Sequence, residues 1–269
     1  MAIIFPPVIR RALKAVDSSW MPAILEGLAA MHAADSHYFL HLQEGGFLPS
    51  DDRLFAAFSL PLDQVKYVLV GEGPYPREKS ANGYCFMDGA VSDIWSNETN
   101  GGLSKKVNRA TSLRNFMKML LVADGYLDIN QTTGEAMSVV SALARKEHSG
   151  FIQTLPELQK NMTAHGFLLL NASLVFRLEV APIRDARVWQ VFLQAVFSAL
   201  HAHYAQQNAD NRSQVSLVLW GKIAEQLKQI TASNFFPHIV AEHPYNLSFI
   251  ANTTMQKFFR PMNLLMKSA

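Results

Sequence analysis

The segment "VLVGEGPYPREKSANGYCFMDG", residues 68–89, begins as an apolar strand and opens at Gly71 into a loop rich in glycine, proline and charge. Rigid strands position the side chains of the loops that follow them, so the end of a buried strand is a frequent place for a binding or catalytic site. Glu72, Tyr75 and Phe86 are therefore the first candidate functional residues of this chain.

Three further apolar runs end in polar turns in the same way. Together with the first they are "VKYVLVG" (65–71), "GFLLLN" (166–171), "VSLVLWG" (215–221) and "PHIVAEHP" (237–244). Short runs rich in valine, leucine and isoleucine that end in turn signals predict buried parallel strands. Because ligands bind beyond the carboxyl ends of such strands, we expect the post-strand loops to form one common site. These loops span residues 71–76, 171–174, 220–222 and 243–248.

The segments between the apolar runs have helical spacing. Apolar residues recur every three or four positions at 113–121 and at 188–200, which is the pattern of an amphipathic helix. Further helices are predicted near 10–33, 155–165, 221–230 and 254–268. Strands that alternate with helices predict an α/β fold, with helices covering both faces of a short parallel sheet.

The bulk composition is that of a globular domain. The chain has 269 residues, of which 49% are hydrophobic, and no Ser/Gly-rich or Pro-rich tract has the composition of a linker. We therefore expect a single domain over residues 1–269. A formal charge of +2 is too small to indicate a nucleic-acid partner by itself.

Cys85 is the only cysteine of the chain. An internal disulfide and a cysteine-rich metal site are thereby excluded, and a reducing cytoplasm is the expected location. The N-terminal "MAIIFPPVIRRALKAV" places its apolar residues before its charges and lacks the order of a signal peptide. We expect no membrane span, since no apolar run approaches the roughly 20 residues that a transmembrane helix needs.

Five side chains of different chemistry are expected at the common site, namely Glu72, Tyr75, Phe86, Asn171 and His243. A carboxylate can polarise water, and a planar amide can pair with a planar polar ligand through a donor and an acceptor. An imidazole can stabilise developing negative charge, and an aromatic ring can stack on another ring. These residues predict a small polar pocket.

Four motifs in this order resemble the uracil-DNA glycosylases, most closely family 1 of that superfamily. The stretches "GEGPYP" (71–76) and "GYCFM" (83–87) are similar to the GQDPYH and GLCFS-like stretches of that family. Those two stretches form the first motif, and the other three motifs are "LLLNASLVFR" (168–177), "LVLWGKIAEQLK" (217–228) and "HPYNLS" (243–248). The resemblance implies a three-layer α/β/α sandwich with a central four-stranded parallel sheet. It also implies a monomer without cofactor or metal, and a base that is flipped out of DNA into the pocket.

The resemblance implies a role for each matched residue of the first two motifs. Asn171 would hydrogen-bond the uracil edge, Phe86 would stack on the base, and Tyr75 would close the space that a thymine methyl group would occupy. Gly71 and Gly73 would belong to the same base-binding loop.

The last motif is implied to supply both catalysis and DNA contact. His243 would donate a hydrogen bond to uracil O2 as the glycosidic bond breaks and negative charge collects on the base. Leu247 would enter the duplex in place of the flipped nucleotide. Ser112 and Ser248 correspond to positions that contact the DNA backbone.

The chain departs from the family at the residue that positions the attacking water. The family's aspartate falls at Gly73. The iron–sulfur branch of the superfamily has GEAPG in this turn, with glutamate at the position of Glu72. By that likeness Glu72 would supply the missing carboxylate; the alternative is that the backbone of residues 71–76 positions the water. In the phosphate-contacting motifs, three further departures are Met87, Tyr245 and Asn246.

Two segments, around 89–111 and 122–152, are insertions relative to the family. The first contains the densest basic cluster of the chain, formed by Lys105, Lys106 and Arg109, with Arg114 and Lys118 just beyond. If these cations line a groove beside the pocket, they would bind DNA phosphates. Otherwise they form a solvated face.

The expected function is that of a DNA repair glycosylase that flips uracil, or a related damaged base, out of DNA and hydrolyses its N-glycosidic bond. The alternative is a homologue weakened or inactivated by loss of the aspartate, which acts as a module that binds DNA or a damaged base. A third interpretation is a relic that binds an inhibitor or serves a structural role and contacts no nucleic acid.

Overall fold

The computed structural model describes residues 4–98, 101–207 and 215–267. Its contacts divide the chain into two compact units. The first contains residues 1–88 and 166–239, and the second contains residues 89–165 and 240–269. The single domain expected from the sequence stays a prediction. Within the described part of the chain, no helix combines the length and the apolar character that crossing a bilayer requires.

A four-stranded parallel sheet has its strands where the sequence predicts them. The strands are β1 (Tyr67–Gly71), β2 (Phe167–Asn171), β3 (Ser216–Trp220) and β4 (His238–Ala241). Their order in the sheet is β2-β1-β3-β4. The sheet and the helices that flank it confirm the predicted α/β class.

The register of β1 and β2 positions the first candidate residues. The two strands are parallel, and Gly71 pairs with Asn171 at their carboxyl ends. Every residue of β2 is buried, which agrees with its uninterrupted apolar sequence before Asn171. The predicted amide and the first glycine of the loop are therefore neighbours in the sheet.

The first unit contains five of the helices. They are α1 (Pro7–Ala12), α2 (Met21–Ala34), α3 (Tyr38–Gly45), α8 (Pro182–Gln207) and α9 (Ile223–Leu227). Helices α2 and α8 pack against each other. The aromatic core includes Phe58 and Phe192, whose rings make an edge-to-face contact at 5.9 Å between centroids.

The helical region predicted near 10–33 is interrupted. Two 3-10 turns, Leu13–Ala15 and Ser18–Trp20, separate α1 from α2. The interruption falls at Asp17, whose side chain accepts a hydrogen bond from the backbone N–H of Ser19 at 3.0 Å. A short aspartate side chain competes in this way for backbone donors and therefore favours a helix start over a helix interior.

The second unit contains the other helices. They are α4 (Lys105–Arg109), α5 (Thr111–Ala123), α6 (Gly134–Ala144), α7 (Leu155–Ala164) and α10 (Thr253–Phe259). Helix α5 packs on α10 and on the 3-10 turn Leu247–Ala251. Helices α4 and α6 lie in the two segments that the sequence identifies as insertions.

Candidate active site

The carboxyl ends of β1 and β2 bring three of the first unit's residues into close contact. A Cβ atom added at Gly71 would lie 2.8 Å from Asn171 Oδ1 and 2.8 Å from Cys85 Cβ. Asn171 is only 4% exposed. Residue 71 is therefore a glycine because the amide of Asn171 occupies the space that any side chain would need.

Backbone hydrogen bonds continue from the two strands into the loops that follow them. The N–H of Ala172 donates to Gly71 O at 2.8 Å, and the N–H of Ser173 donates to Glu72 O at 3.2 Å. The buried Ser173 hydroxyl donates to Val175 O at 2.8 Å, which fixes the second loop internally. The loop with Glu72 and the loop after Asn171 are thus tied to each other beyond the end of the sheet.

Phe86 is held in an unusual backbone conformation. Its φ is +66°, in the left-handed region where a residue other than glycine costs of order 1–3 kcal/mol. Its ring contacts Trp220 edge-to-face, with 4.8 Å between the centroids. Phe86 is half-buried, and Trp220 is the last residue of β3. The contact with Trp220 fixes the orientation of the Phe86 ring, which the sequence predicts to stack on a base.

Tyr75 lies in an environment that keeps its hydroxyl protonated. Burial is the main cause that raises the pKa of Tyr75, and the negative charge of Asp88 adds to it. The Asp88 carboxylate is itself nearly buried and pairs with the Arg77 guanidinium at 3.3 Å. Tyr75 can therefore serve as a neutral, bulky wall of a pocket.

Glu72 and Gly73 line a groove of about 340 Å³ in the first unit, together with Ser173 and Arg177. The Glu72 side chain is exposed, and within the described residues it forms no hydrogen bond or ion pair. Arg177 does not neutralise it, since its guanidinium binds both Asp185 oxygens, at 2.7 and 3.1 Å. The carboxylate of Glu72 is thus accessible to water.

The backbone at Gly73 would accept a side chain. A Cβ atom added there would meet Ser173 O at 3.7 Å and Ser173 Cβ at 3.9 Å, which are ordinary contact distances. Gly73 is also not among the residues with positive φ. A side chain at position 73 would therefore meet no steric obstacle in the local backbone.

His243 lies in the second unit, and a neighbouring N–H determines its tautomer. The backbone N–H of Tyr245 donates to His243 Nδ1 at 3.1 Å. Because Nδ1 accepts this hydrogen bond, the neutral ring carries its proton on Nε2. A neutral His243 can therefore donate a hydrogen bond from Nε2.

Asn115 holds the loop that contains His243, and sequence reasoning did not assign it a role. Its side chain is fully buried in α5. Its Nδ2 donates to Pro244 O at 2.8 Å and contacts Tyr245 O and Asn246 O, both at 3.3 Å. The signal in the sequence was an amide inside an otherwise apolar helix face, since a buried amide must find partners.

The predicted DNA-contacting residues also lie in the second unit. Leu247 is 69% exposed and Ser248 is exposed, both in the turn Leu247–Ala251. Ser112 is in the first turn of α5. An exposed leucine at a turn is available for contact with a partner.

The basic cluster of α4 is solvated. Lys105, Lys106 and Arg109 are exposed, and the Lys105 ammonium pairs with Glu98 at 2.9 Å. An exposed ion pair of this kind contributes little to stability. Their predicted contact with DNA stays a prediction. Among the described residues, no group of three or more His, Cys, Asp or Glu side chains is placed to bind a metal ion.

Known proteins resemble this chain over most of its length. No protein-family model matches it. The chain is 26% identical over 234 residues to the uracil-DNA glycosylase of Streptococcus mutans, covering 86% of this chain and 85% of that protein. It is 23% identical over 256 residues to the uracil-DNA glycosylase of Campylobacter fetus, covering 94% of this chain and 90% of that protein.

Solved structures give the same result. The crystal structure of wild-type UNG from Nitratifractor salsuginis matches with a TM-score of 0.84 and 35% identity, and covers 98% of this chain and 100% of that one. The mimivirus uracil-DNA glycosylase matches with a TM-score of 0.54 and 14% identity over 90% of this chain and 77% of that one, which supports the fold alone. The likeness to the first structure confirms the predicted three-layer α/β/α sandwich.

Proposed function

We propose, from the premise that this chain belongs to the uracil-DNA glycosylase superfamily, that it is a DNA repair glycosylase. It flips uracil, or a related damaged base, out of DNA and hydrolyses the N-glycosidic bond. The observation that carries this proposal is the buried Asn171 amide, which lies at the carboxyl end of β2 in the space left by Gly71. A buried amide at a strand end is suited to reading the polar edge of one base.

Base recognition is proposed for three residues of the first unit. Asn171 offers an acceptor and a donor in one plane, which match the N3–H and O4 groups of uracil. Phe86 stacks on the base, in an orientation supported by its contact with Trp220. Tyr75 occupies the space beside C5 and thereby excludes the methyl group of thymine. Its raised pKa supports a neutral hydroxyl at this position, because a phenolate would repel an electron-rich base.

His243 is proposed to stabilise the leaving base. When the bond between C1′ and N1 breaks, its electron pair stays on uracil, and negative charge develops on O2. The Nε2–H of neutral His243 donates to this oxygen, and the hydrogen bond at Nδ1 supports that tautomer. Removing one such donor lowers kcat by roughly 10²–10³-fold in other enzymes.

Glu72 is proposed to position the water molecule that completes hydrolysis. The water oxygen bonds to C1′ of the cationic sugar, and one of its protons passes to the Glu72 carboxylate. The exposed carboxylate on the groove supports this role. The rate is expected to be below that of a site with an aspartate at position 73, since Glu72 must act from one residue earlier in the chain.

The test is uracil release from single- and double-stranded oligonucleotides that contain uracil. We expect release by the native chain, a loss of roughly 10³-fold or more in kcat/KM for Asn171→Ala, and a loss of about 10-fold for Glu72→Gln. Asn234→Ala, at an exposed position of the first unit, is the matched control and should be unchanged. No release from either substrate would contradict the proposal. Binding without release, with turnover created by Gly73→Asp, would identify a binding module instead.

The proposed partner is DNA that contains uracil or another damaged base, and the proposed working form is a cytoplasmic monomer. The presence of a single cysteine, Cys85, suits a reducing compartment. Sedimentation of the native chain with and without DNA tests the monomer.

A further inference from the structure

A groove in the second unit combines positive charge with an exposed apolar side chain. Its volume is about 900 Å³, and its lining includes Arg114 and Lys118 from α5, Thr133 and Glu135 from the start of α6, and Leu247. Helix α6 belongs to the segment that the sequence identifies as an insertion. Part of the groove is therefore formed by residues that have no counterpart in the motifs shared with the family.

Lys118 is the least expected residue of this groove. It is only 9% exposed, and within the described residues its ammonium forms no hydrogen bond or ion pair. Burial, followed by the positive charge of Arg114, lowers the pKa of Lys118. An almost buried cation beside a second cation is unfavourable unless an anion joins them. The pair is thus arranged for a ligand that carries negative charge.

Arg114 is held in place by main-chain contact. Its Nη1 donates to Asn108 O at 3.1 Å, and Asn108 also lines the groove. Arg114 Nε also donates to Asn115 Oδ1 at 3.3 Å. The guanidinium is thus fixed through two nitrogens and keeps the N–H donors of Nη2 for an anion. Arg114 and Lys118 are four residues apart on α5, so they lie on the same face of the helix.

The start of α6 adds backbone donors to the same groove. Thr133 is the residue before the helix, and its side chain makes no capping hydrogen bond. The first N–H groups of a helix have no partner within the helix and carry partial positive charge. Among the described residues that line the groove, Glu135 has the one carboxylate. It is exposed, and it opposes an anion only if its side chain turns inward.

We propose that this groove binds a phosphate group of the DNA backbone, through Lys118, Arg114 and the N-terminus of α6, beside the position where Leu247 enters the duplex. The inference rests on the proposed function, because it takes DNA to be the substrate. It assigns the principal phosphate contact of this unit to the nearly buried Lys118 and the half-buried Arg114 on α5, whereas the exposed α4 cluster contributes only diffuse attraction. The groove therefore anchors the strand next to Leu247.

The test measures the affinity for an undamaged DNA duplex between about 50 and 200 mM salt. Lys118→Met removes the charge and keeps the length of the side chain. We expect about tenfold weaker binding at low salt, and a slope of log K against log salt that is smaller by about 1. Lys118→Arg restores the charge and should restore most of the affinity. Lys160→Met, at an exposed lysine of α7, is the matched control and should change binding by less than about twofold.

Stability separates binding from a structural role. A buried unpaired cation destabilises the fold, so Lys118→Met should unfold at the same or a higher urea concentration than the native chain. An unchanged affinity and salt slope in folded Lys118→Met would overturn the proposal. A third outcome is that inorganic phosphate stabilises the native chain, while Lys118→Met has the native slope of log K for DNA against log salt. That outcome would show a site for small anions and would also overturn the proposal.

The proposed function can fail independently of this inference. Binding to an undamaged duplex requires no turnover. If the native chain releases no uracil and Lys118→Met still weakens duplex binding, the phosphate site stands and the glycosylase proposal fails. If the native chain releases uracil and Lys118→Met binds the duplex like the native chain, the glycosylase proposal stands and the phosphate site fails.

Discussion

The candidate residues of the two units are held in different ways. In the first unit, Asn171 and Gly71 end two paired strands, and the hydrogen-bonded ladder continues through Ala172 and Ser173. In the second unit, the loop 243–248 lies outside the regular strands, and the hydrogen bonds described between this loop and α5 come from the side chain of Asn115. The exposed Leu247 follows in the same loop.

This difference corresponds to two kinds of recognition. Reading one planar base requires donors and acceptors fixed to within a few tenths of an ångström, and paired strands provide that rigidity. Contact with a duplex requires exposed side chains that meet a larger and deformable partner. Disturbing the base-reading residues of the first unit should therefore affect every substrate, whereas disturbing the exposed Leu247 of the second unit should affect double-stranded substrates most.

Among the variants that test this comparison, Gly71→Ala is expected to have the largest effect. The added methyl group would lie 2.8 Å from Asn171 Oδ1, so the amide must move out of its reading position. We expect a loss of about 100-fold in kcat/KM on single- and double-stranded substrates alike. Gly45→Ala is the matched control, because a Cβ atom there meets nothing within 4 Å. Equal activity of Gly71→Ala and the native chain would show that the Asn171 position is not restrictive.

Asn115→Leu is expected to have the next largest effect. The substitution removes the amide that donates to Pro244 O and Tyr245 O, whereas Asn246 O keeps the N–H of Phe249. An unpaired buried polar group costs about 1–3 kcal/mol. Urea unfolding should show that loss of stability, and kcat/KM on a duplex should fall about 10-fold because His243 loses its support. Asn130→Ala, at an exposed position of the same unit, should change neither quantity. A loss of stability with unchanged kcat/KM would restrict Asn115 to a structural role.

Leu247→Ala should discriminate between the two substrates. Its side chain is 69% exposed, so the unfolding free energy should stay within about 0.5 kcal/mol of the native value. Release from duplex DNA should fall about 10-fold, since an apolar wedge offsets the cost of unstacking the flipped base. Release from single strands should change less than threefold, on the order of experimental scatter. An equal decrease on both substrates would contradict a wedge.

The smallest effect concerns the pH dependence of stability at the far end of α5. Asp124 follows the last residue of this helix, and burial raises its pKa from 3.8 to about 6. The folded state therefore favours the protonated form. The contribution of protonated Asp124 to the free energy of unfolding is present below about pH 4 and is lost as the pH rises to about 6. The expected loss is on the order of 1 kcal/mol, since Asp124 is partly exposed to solvent.

Urea unfolding of the native chain and of Asp124→Asn over this pH range measures that loss. The amide does not titrate, so the difference in unfolding free energy between the two proteins should shift in favour of Asp124→Asn as the pH rises. A difference that stays constant over the range would show that Asp124 titrates with the same pKa in the folded and the unfolded chain.

Much of the fold could be predicted because its strands are apolar runs that stop at turns. The runs at 65–71, 166–171 and 215–221 gave strands at Tyr67–Gly71, Phe167–Asn171 and Ser216–Trp220. Helix boundaries were harder to predict. Asp17 interrupts the predicted helix near 10–33, because a local side-chain hydrogen bond is a short-range effect that apolar spacing does not report.

The candidate site was predictable where a residue acts through its own chemistry. Asn171, Phe86 and His243 stand in motifs, so their types and order were visible in the sequence. Residues that act through tertiary contacts were not. Asn115 became a candidate only when its amide was found against three carbonyls. Lys118 was visible in the sequence as part of the basic cluster, but not that it is only 9% exposed. Neither property follows from the spacing of residues along α5.

The room beside Gly73 has a consequence for the gene. Since the backbone there accepts a Cβ atom at 3.7 Å from its nearest neighbour, an aspartate could arise at this position without any other change in the protein. Two of the four glycine codons become aspartate codons through a G-to-A transition, which is the mutation left when a deaminated cytosine on the opposite strand escapes repair. The lesion that this enzyme is proposed to remove is thus also the one that would place a second carboxylate beside Glu72.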